Sequence, residues 1–513
     1  MSPRLNRLLF RLLRPRFALI PCLAWLLLFF STGCGHRATS TPNLDLGIWY
    51  WHSPFKISMA EEAELIEMGI KTVYVRAGTF ALEDRLPRMT LRQTFDSAPD
   101  VLDVVLVFNF TLDLARSLDR LDPVEAAHHV AIDIQERMGS ARLAGNQISG
   151  IQIDADCPAR LLRTYSKLLI ELRKQLPPGT ILSATGLPTW LTSEDLDKLT
   201  AAVDFLVPQF YENRPVPSLD QMRPVSDFDE LASGLARIAK RQGVFRIGVP
   251  SYGHAMIFDR AGKASGMYRS LSLSDAMRHP NLKFVAAHHV ENDGVPANEV
   301  NGEIVAQFQA AGPSLSGRGD GYRLAYSLPT PKVLYRHLEA IRRAGLSNMR
   351  GAIIFRFPEP GEDSTLRLAG IRAGLADGQA YPVLKAELQT SRTEFGHVQA
   401  RVVVENTGAA ATFPHPESMV VELRLPNPGV EEVGLGEFVR IQSFRADSLE
   451  RAPLARSEVL RLSLPYLPPG GSASSGFIVL PPGTDERKIV LRCMAMVSPT
   501  RTESISGSVV QKP

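Results

Sequence analysis

The feature that most constrains this chain is a count. From Leu44 onward, short runs rich in β-branched and aromatic residues alternate with stretches of helical periodicity. There are eight such runs, at 47–51, 72–77, 104–110, 150–156, 180–184, 205–211, 246–251 and 352–357. Alternation of this kind predicts parallel strands joined by helical crossovers, and eight is the number that closes them into a barrel. Helical patterns at 60–68, 123–138, 160–175, 193–202, 227–242 and 331–344 supply crossovers. The fold expected over 44–380 is therefore a (β/α)8 TIM barrel, longer than the ~250 residues typical of the class but within its range. The surplus is mostly one excursion, 252–329, after the seventh run. Such a loop lies over the C-terminal face, where it either walls a substrate site or packs as an inserted subdomain.

Beyond Tyr381 the helical periodicity stops, and short alternating runs are punctuated by turns such as Asn406-Thr407-Gly408 and Pro426-Asn427-Pro428. This predicts an all-β, Ig-like sandwich over 381–513. Such a module binds glycans or spaces a barrel from a membrane, and the lack of an evident aromatic cluster favours the spacer.

The other end of the chain speaks to location. Arg4, Arg7, Arg11, Arg14 and Arg16 precede an apolar run from Phe17 to Phe30, which ends in Ser31-Thr32-Gly33-Cys34. The order is that of a secretory signal, and the run is shorter than the roughly 20 residues a spanning helix needs. Residues 1–33 are expected to be a signal peptide, Cys34 the lipidated first residue of an exported, membrane-anchored protein of the cell envelope, and 34–43 a tether. Small residues before the cysteine resemble a bacterial lipobox, with Ser31 where leucine is usual. Removing the five arginines takes the formal charge from +3 to −2. No basic field is left to recruit nucleic acid, so no nucleic-acid partner is expected. Of four cysteines, Cys157 and Cys493 remain, enough for one cross-domain bridge and too few for a disulfide framework.

Chemistry concentrates on the fourth run, Gly150-Ile151-Gln152-Ile153-Asp154-Ala155-Asp156. Side chains two apart on a strand share a face, so Gln152, Asp154 and Asp156 point into the barrel and Ile151 and Ile153 toward the helices. Two neighbouring carboxylates raise one another's pKa and can divide into an ionised and a protonated member, as general-acid chemistry requires. The same row could equally be a hydrogen-bonded network or cation site that fills the barrel. At other strand ends, Trp49 and Trp51 offer surfaces for stacking on a pyranose or for core packing. Asn109, Gln209, Tyr211 and Glu212 could hydrogen-bond sugar hydroxyls, and Glu212 is a second candidate acid. The acidic turn 357–363 is expected to be a solvated loop. His128-His129 and His288-His289 are adjacent pairs that do not converge on a metal. No metal site and no organic cofactor is expected.

Gly150 to Asp156 resembles the fourth-strand signature of glycoside hydrolase family 18, the chitinase-like barrels, Asp-Gly-x-Asp-x-Asp-x-Glu. Ser149 and Gln152 replace its first two aspartates, Asp154 matches the third, and Asp156 falls on the catalytic glutamate. Val207-Pro208-Gln209-Phe210-Tyr211-Glu212 resembles the family's Met-x-Tyr-Asp, and Gly248-Val249-Pro250-Ser251-Tyr252-Gly253 its Gly-x-Pro-x-Tyr-Gly. The resemblance spans about 44–378. A nearer fit is a bacterial family of exported proteins, domain of unknown function 3142, whose barrels are similar to glycoside hydrolases. The resemblance implies a carbohydrate partner, Asp156 as proton donor and Asp154 as its electrostatic partner. Asp156 is one methylene shorter than the family's acid, a retreat of roughly 1 Å that can cost about a hundredfold in rate. The eighth run lacks the tryptophan of the chitinase sugar site; Phe355 or Phe357 would be a smaller platform, and Arg356 would suit an anionic sugar or pair with an acid. Two functions follow as expectations: a lipid-anchored glycoside hydrolase of an envelope or imported glycan, or a non-catalytic glycan-binding or envelope-assembly lipoprotein.

Overall fold

The computed structural model describes residues 44–96, 99–212, 215–290, 303–311, 321–448 and 450–511. The expected signal peptide, tether and Cys34 lie outside the described residues. Among the described residues, no helix is long and apolar enough to cross a membrane.

Eight parallel strands close on themselves: β1 (Asp45–Tyr50), β2 (Ile70–Glu83), β3 (Asp103–Phe110), β4 (Ile148–Asp154), β5 (Ile181–Gly186), β6 (Phe205–Pro208), β7 (Phe245–Pro250) and β8 (Met349–Phe355). Closure is made by β1, which pairs with β2 on one side and β8 on the other. Helices between them begin where local chemistry satisfies their free N–H groups. Ser58 and Glu61 form a reciprocal capping box ahead of Met59–Glu67, and Asp122 caps Pro123–Leu143 from just before a proline in its first turn.

Alternation along the strands divides the apolar residues into two cores. Val73, Val75, Leu106, Phe108, Ile151, Ile153, Leu182, Ile247 and Ile354 face outward into the layer shared with the helices. Trp49, Tyr74, Val105, Val107, Phe205, Val207 and Ile353 fill the inside. The period-2 rule thus assigns every inward row. Gly248 belongs to such a row, and a Cβ there would press on the Gln209 backbone at 3.2 Å and on the Trp49 ring at 3.3 Å.

Three features add detail that the strand count does not give. First, β2 runs on to Glu83 and folds back through the antiparallel strand Leu86–Arg92. Its two-residue turn places Asp84 and Arg85 at φ 50° and 65°, the conformation usually signalled by Asn-Gly or Asp-Gly. Second, the excursion is a five-stranded antiparallel sheet with a short helix, Leu273–Arg278, and its core includes Tyr466 from the C-terminal module. Third, that module is a sandwich of two sheets around a separate core, but one pairing, Glu387–Thr390 with Ser508–Gln511, is parallel. Cys157 and Cys493 are buried free thiols, so no bridge joins them.

Candidate functional site

The inward rows end at the C-terminal mouth of the barrel in a cleft of about 720 Å³, within the range of small-ligand sites. Its floor is formed by inward-facing residues at or near the C-terminal ends of the strands: Arg76, Asp154, Thr185, Gln209 and Phe355. The excursion supplies a wall through His254, Tyr268 to Ser272 and Tyr326, and the turn after β8 supplies another through Glu359 to Ser364.

Asp154 and Asp156 share a face but not a depth. Asp154 is the last residue of β4 and is held by its neighbours: Asn109 donates at 2.9 Å, Thr185 at 2.6 Å, and Gln209 also hydrogen-bonds its carboxyl. Burial raises its pKa, and those donors together with the Arg76 charge oppose the rise. Asp156 lies beyond the strand end, reaches the cleft, and accepts no hydrogen bond among the described residues. Desolvation first and the Asp154 charge second push its pKa up to about 6. Burial pushes both carboxyls up, but one is anchored by hydrogen bonds while the other has nothing tied to it.

Around this pair the expected residues take different places. Gln152 is fully buried one layer down, accepting from the Trp49 indole at 2.8 Å and donating to Ser183 at 3.3 Å, so it joins strands instead of contacting a ligand. Asn109 reaches the site only through Asp154. Trp49 is packed at the base of the cleft, whereas Trp51 stands on its wall. Tyr211 lies buried against Phe355, the rings nearly parallel at 5.5 Å, and its hydroxyl has no hydrogen-bond partner among the described residues. Burial holds that hydroxyl protonated. Phe355 also meets Trp49, Trp51 and Tyr252 edge-on and is the aromatic platform of the cleft; Phe357 instead packs on Tyr50.

Glu212 does not behave as an alternative acid. Burial would raise its pKa, but hydrogen bonds from His254 and Tyr252 and the charge of Arg269 hold it below the usual range. Its backbone is left-handed, φ 54°, a conformation uncommon for a residue with a side chain. Arg356 is ion-paired with Glu362 and is not free for an anion. The acidic turn is structural as well as exposed, since Asp363 accepts from the backbone N–H groups of Leu273 and Ser274 at 2.9 and 2.7 Å and fixes the excursion's helix. Burial raises the Asp363 pKa against those hydrogen bonds.

Four contributors were not singled out from sequence. Thr185 lies one residue past the expected end of its strand, and Arg76 follows Thr72 and Tyr74 in an inward row whose parity was readable. His254 and Arg269 come from the excursion, where only tertiary structure brings them to the mouth. Gly253 makes that approach possible: a Cβ on it would lie 1.8 Å from the Ser327 carbonyl oxygen.

Among solved structures, the chain is similar to a chitinase from Chromobacterium violaceum, at 14% identity and TM-score 0.43, over 66% of this chain and 99% of that one. It is also similar to the spore cortex-lytic enzyme SleL of Bacillus cereus, at 13% identity and TM-score 0.43, over 65% and 74%. No curated protein sequence matches it. Residues 111–277, which carry β4 to β7 and the first part of the excursion, match the family described as Domain of unknown function (DUF3142), the family to which the motifs pointed.

Proposed function

We propose that the barrel hydrolyses a glycosidic bond, with Asp156 as proton donor and Asp154 as its hydrogen-bonded electrostatic partner. The observation that carries this reading is the division between the two carboxyls. A general acid works best when its pKa lies near the operating pH, and Asp156, at about 6, reaches the cleft with no hydrogen bond to its carboxyl. Phe355 and Trp51 give apolar faces for a pyranose. Gln209, tied to Asp154, lies at the same mouth. Anchored through a lipid on Cys34, such a protein would act on an envelope or imported glycan beside the membrane.

The shortened acid favours one second reading, a glycan-binding lipoprotein that keeps the cleft without turnover. Both are tested by incubating the purified protein and Asp156→Asn with amino-sugar and envelope polymers and counting new reducing ends. Turnover that falls by about 10²-fold or more in the variant supports hydrolysis. Glycan binding without turnover, equal in both proteins, overturns it. Incorporation of a fatty-acid analogue into wild type but not Cys34→Ala tests the anchor.

A further inference from the structure

Arg76 is the cleft residue whose charge is least accounted for. It is half-buried at the end of an inward row of β2. Its guanidinium lies over the Trp51 ring, 5.5 Å from the centroid, and one nitrogen donates to Thr79 at 3.0 Å. Its Nε is sealed without a partner, and among the described residues Arg76 forms no ion pair. Asp154 influences it only through space, its carboxyl being occupied by Asn109, Thr185 and Gln209. The contrast with Arg356, neutralised by Glu362, is within one cleft. A half-buried cation whose nearby anion, Asp154, is already engaged by three donors keeps attraction for a further carboxylate, and a guanidinium is a planar donor suited to that group.

We infer that the cleft takes a glycan bearing a carboxylate, which docks on Arg76. This rests on the reading of the cleft as a glycan site and adds a substrate class to it. Asp154, Asp156 and Glu212 place carboxyl groups on the β4 and β6 sides of the cleft, whereas the β2 side carries the Arg76 cation. The carboxylate would then set the register of the sugar relative to Asp156. Its source is either the ring carboxyl of a uronic acid or the carboxyl of a lactyl ether.

Calorimetric binding would compare oligouronates with their methyl esters, and lactyl-ether oligosaccharides with their reduced, alcohol forms, for wild type, Arg76→Met and Arg76→Lys. Thermal unfolding would confirm that the variants fold. The expected result is that wild type prefers one acid over its neutral partner by about 10- to 100-fold. Arg76→Met should abolish that preference and Arg76→Lys retain part of it. The acid that shows the preference identifies the source. Equal binding of acid and neutral forms by wild type overturns the inference and leaves the hydrolase reading standing if Asp156-dependent turnover persists. A loss in Arg76→Met that is the same for acid and neutral ligands also overturns it, because Arg76 would then act through Asp154. Binding of no saccharide overturns the inference together with the glycan reading beneath it.

Discussion

Replacing Asp154 by asparagine should lower the pKa of Asp156, and the structure bounds how far. The Asp156 carboxyl rises from an ordinary 3.8 to about 6, with desolvation the larger cause and the Asp154 charge the smaller. Asp154 therefore accounts for the smaller part of that rise. The sign follows from charge: an anion nearby disfavours a second anion, so neutralising it favours ionisation and lowers the pKa. The substitution preserves the volume, and the carboxamide oxygen it introduces can still accept from Thr185. Carbon-13 carboxyl shifts of labelled aspartate, assigned by difference against Asp156→Asn, would show a midpoint near 6 in wild type and a lower one, still above the ordinary carboxylate range, in Asp154→Asn. An unchanged or raised midpoint would refute the coupling, since Asp156 would then owe its pKa to burial alone. In wild type the protonated form is the acid, so turnover should decline as pH rises through about 6.

Two further outcomes test the scaffold. His337 is fully buried, donates from Nδ1 to the Val333 carbonyl at 2.9 Å and has its pKa depressed by burial to about 4 from 6.5, so its folded state favours the neutral ring. Stability from this group is complete above pH 6.5 and falls by about 3 kcal/mol as pH drops toward 4, and urea unfolding should show that loss shrinking in His337→Phe. Gly253→Ala would force a Cβ to 1.8 Å from the Ser327 carbonyl oxygen, costing about 1–3 kcal/mol or more in unfolding free energy; unchanged stability would show that the excursion yields freely.

Much of the barrel was legible because it depends on period. Strand alternation needs no tertiary knowledge, and it correctly turned Gln152 and Asp154 inward and Ile151 and Ile153 outward. Depth was not legible. The same parity that made Gln152 a ligand candidate puts it one layer below the cleft, where Trp49 uses its carbonyl. Partners of opposite charge were equally hidden, since Arg356 finds Glu362 across a turn and Asp363 finds a helix from the excursion. The hairpin after β2 escaped because its left-handed turn is built from Asp84 and Arg85 without glycine.

The difference between the two aspartates follows from where a strand stops. A carboxyl inside the ladder is bracketed by adjacent strands, and Asn109 on β3 and Thr185 on β5 reach Asp154 from either side. Two residues later the backbone has left the sheet. Asp156 keeps the inward direction but loses the brackets, so the same side chain type gains a free carboxyl, partial desolvation and a charged neighbour at once. The end of β4 at Asp154 is therefore as much a part of the site as either carboxyl.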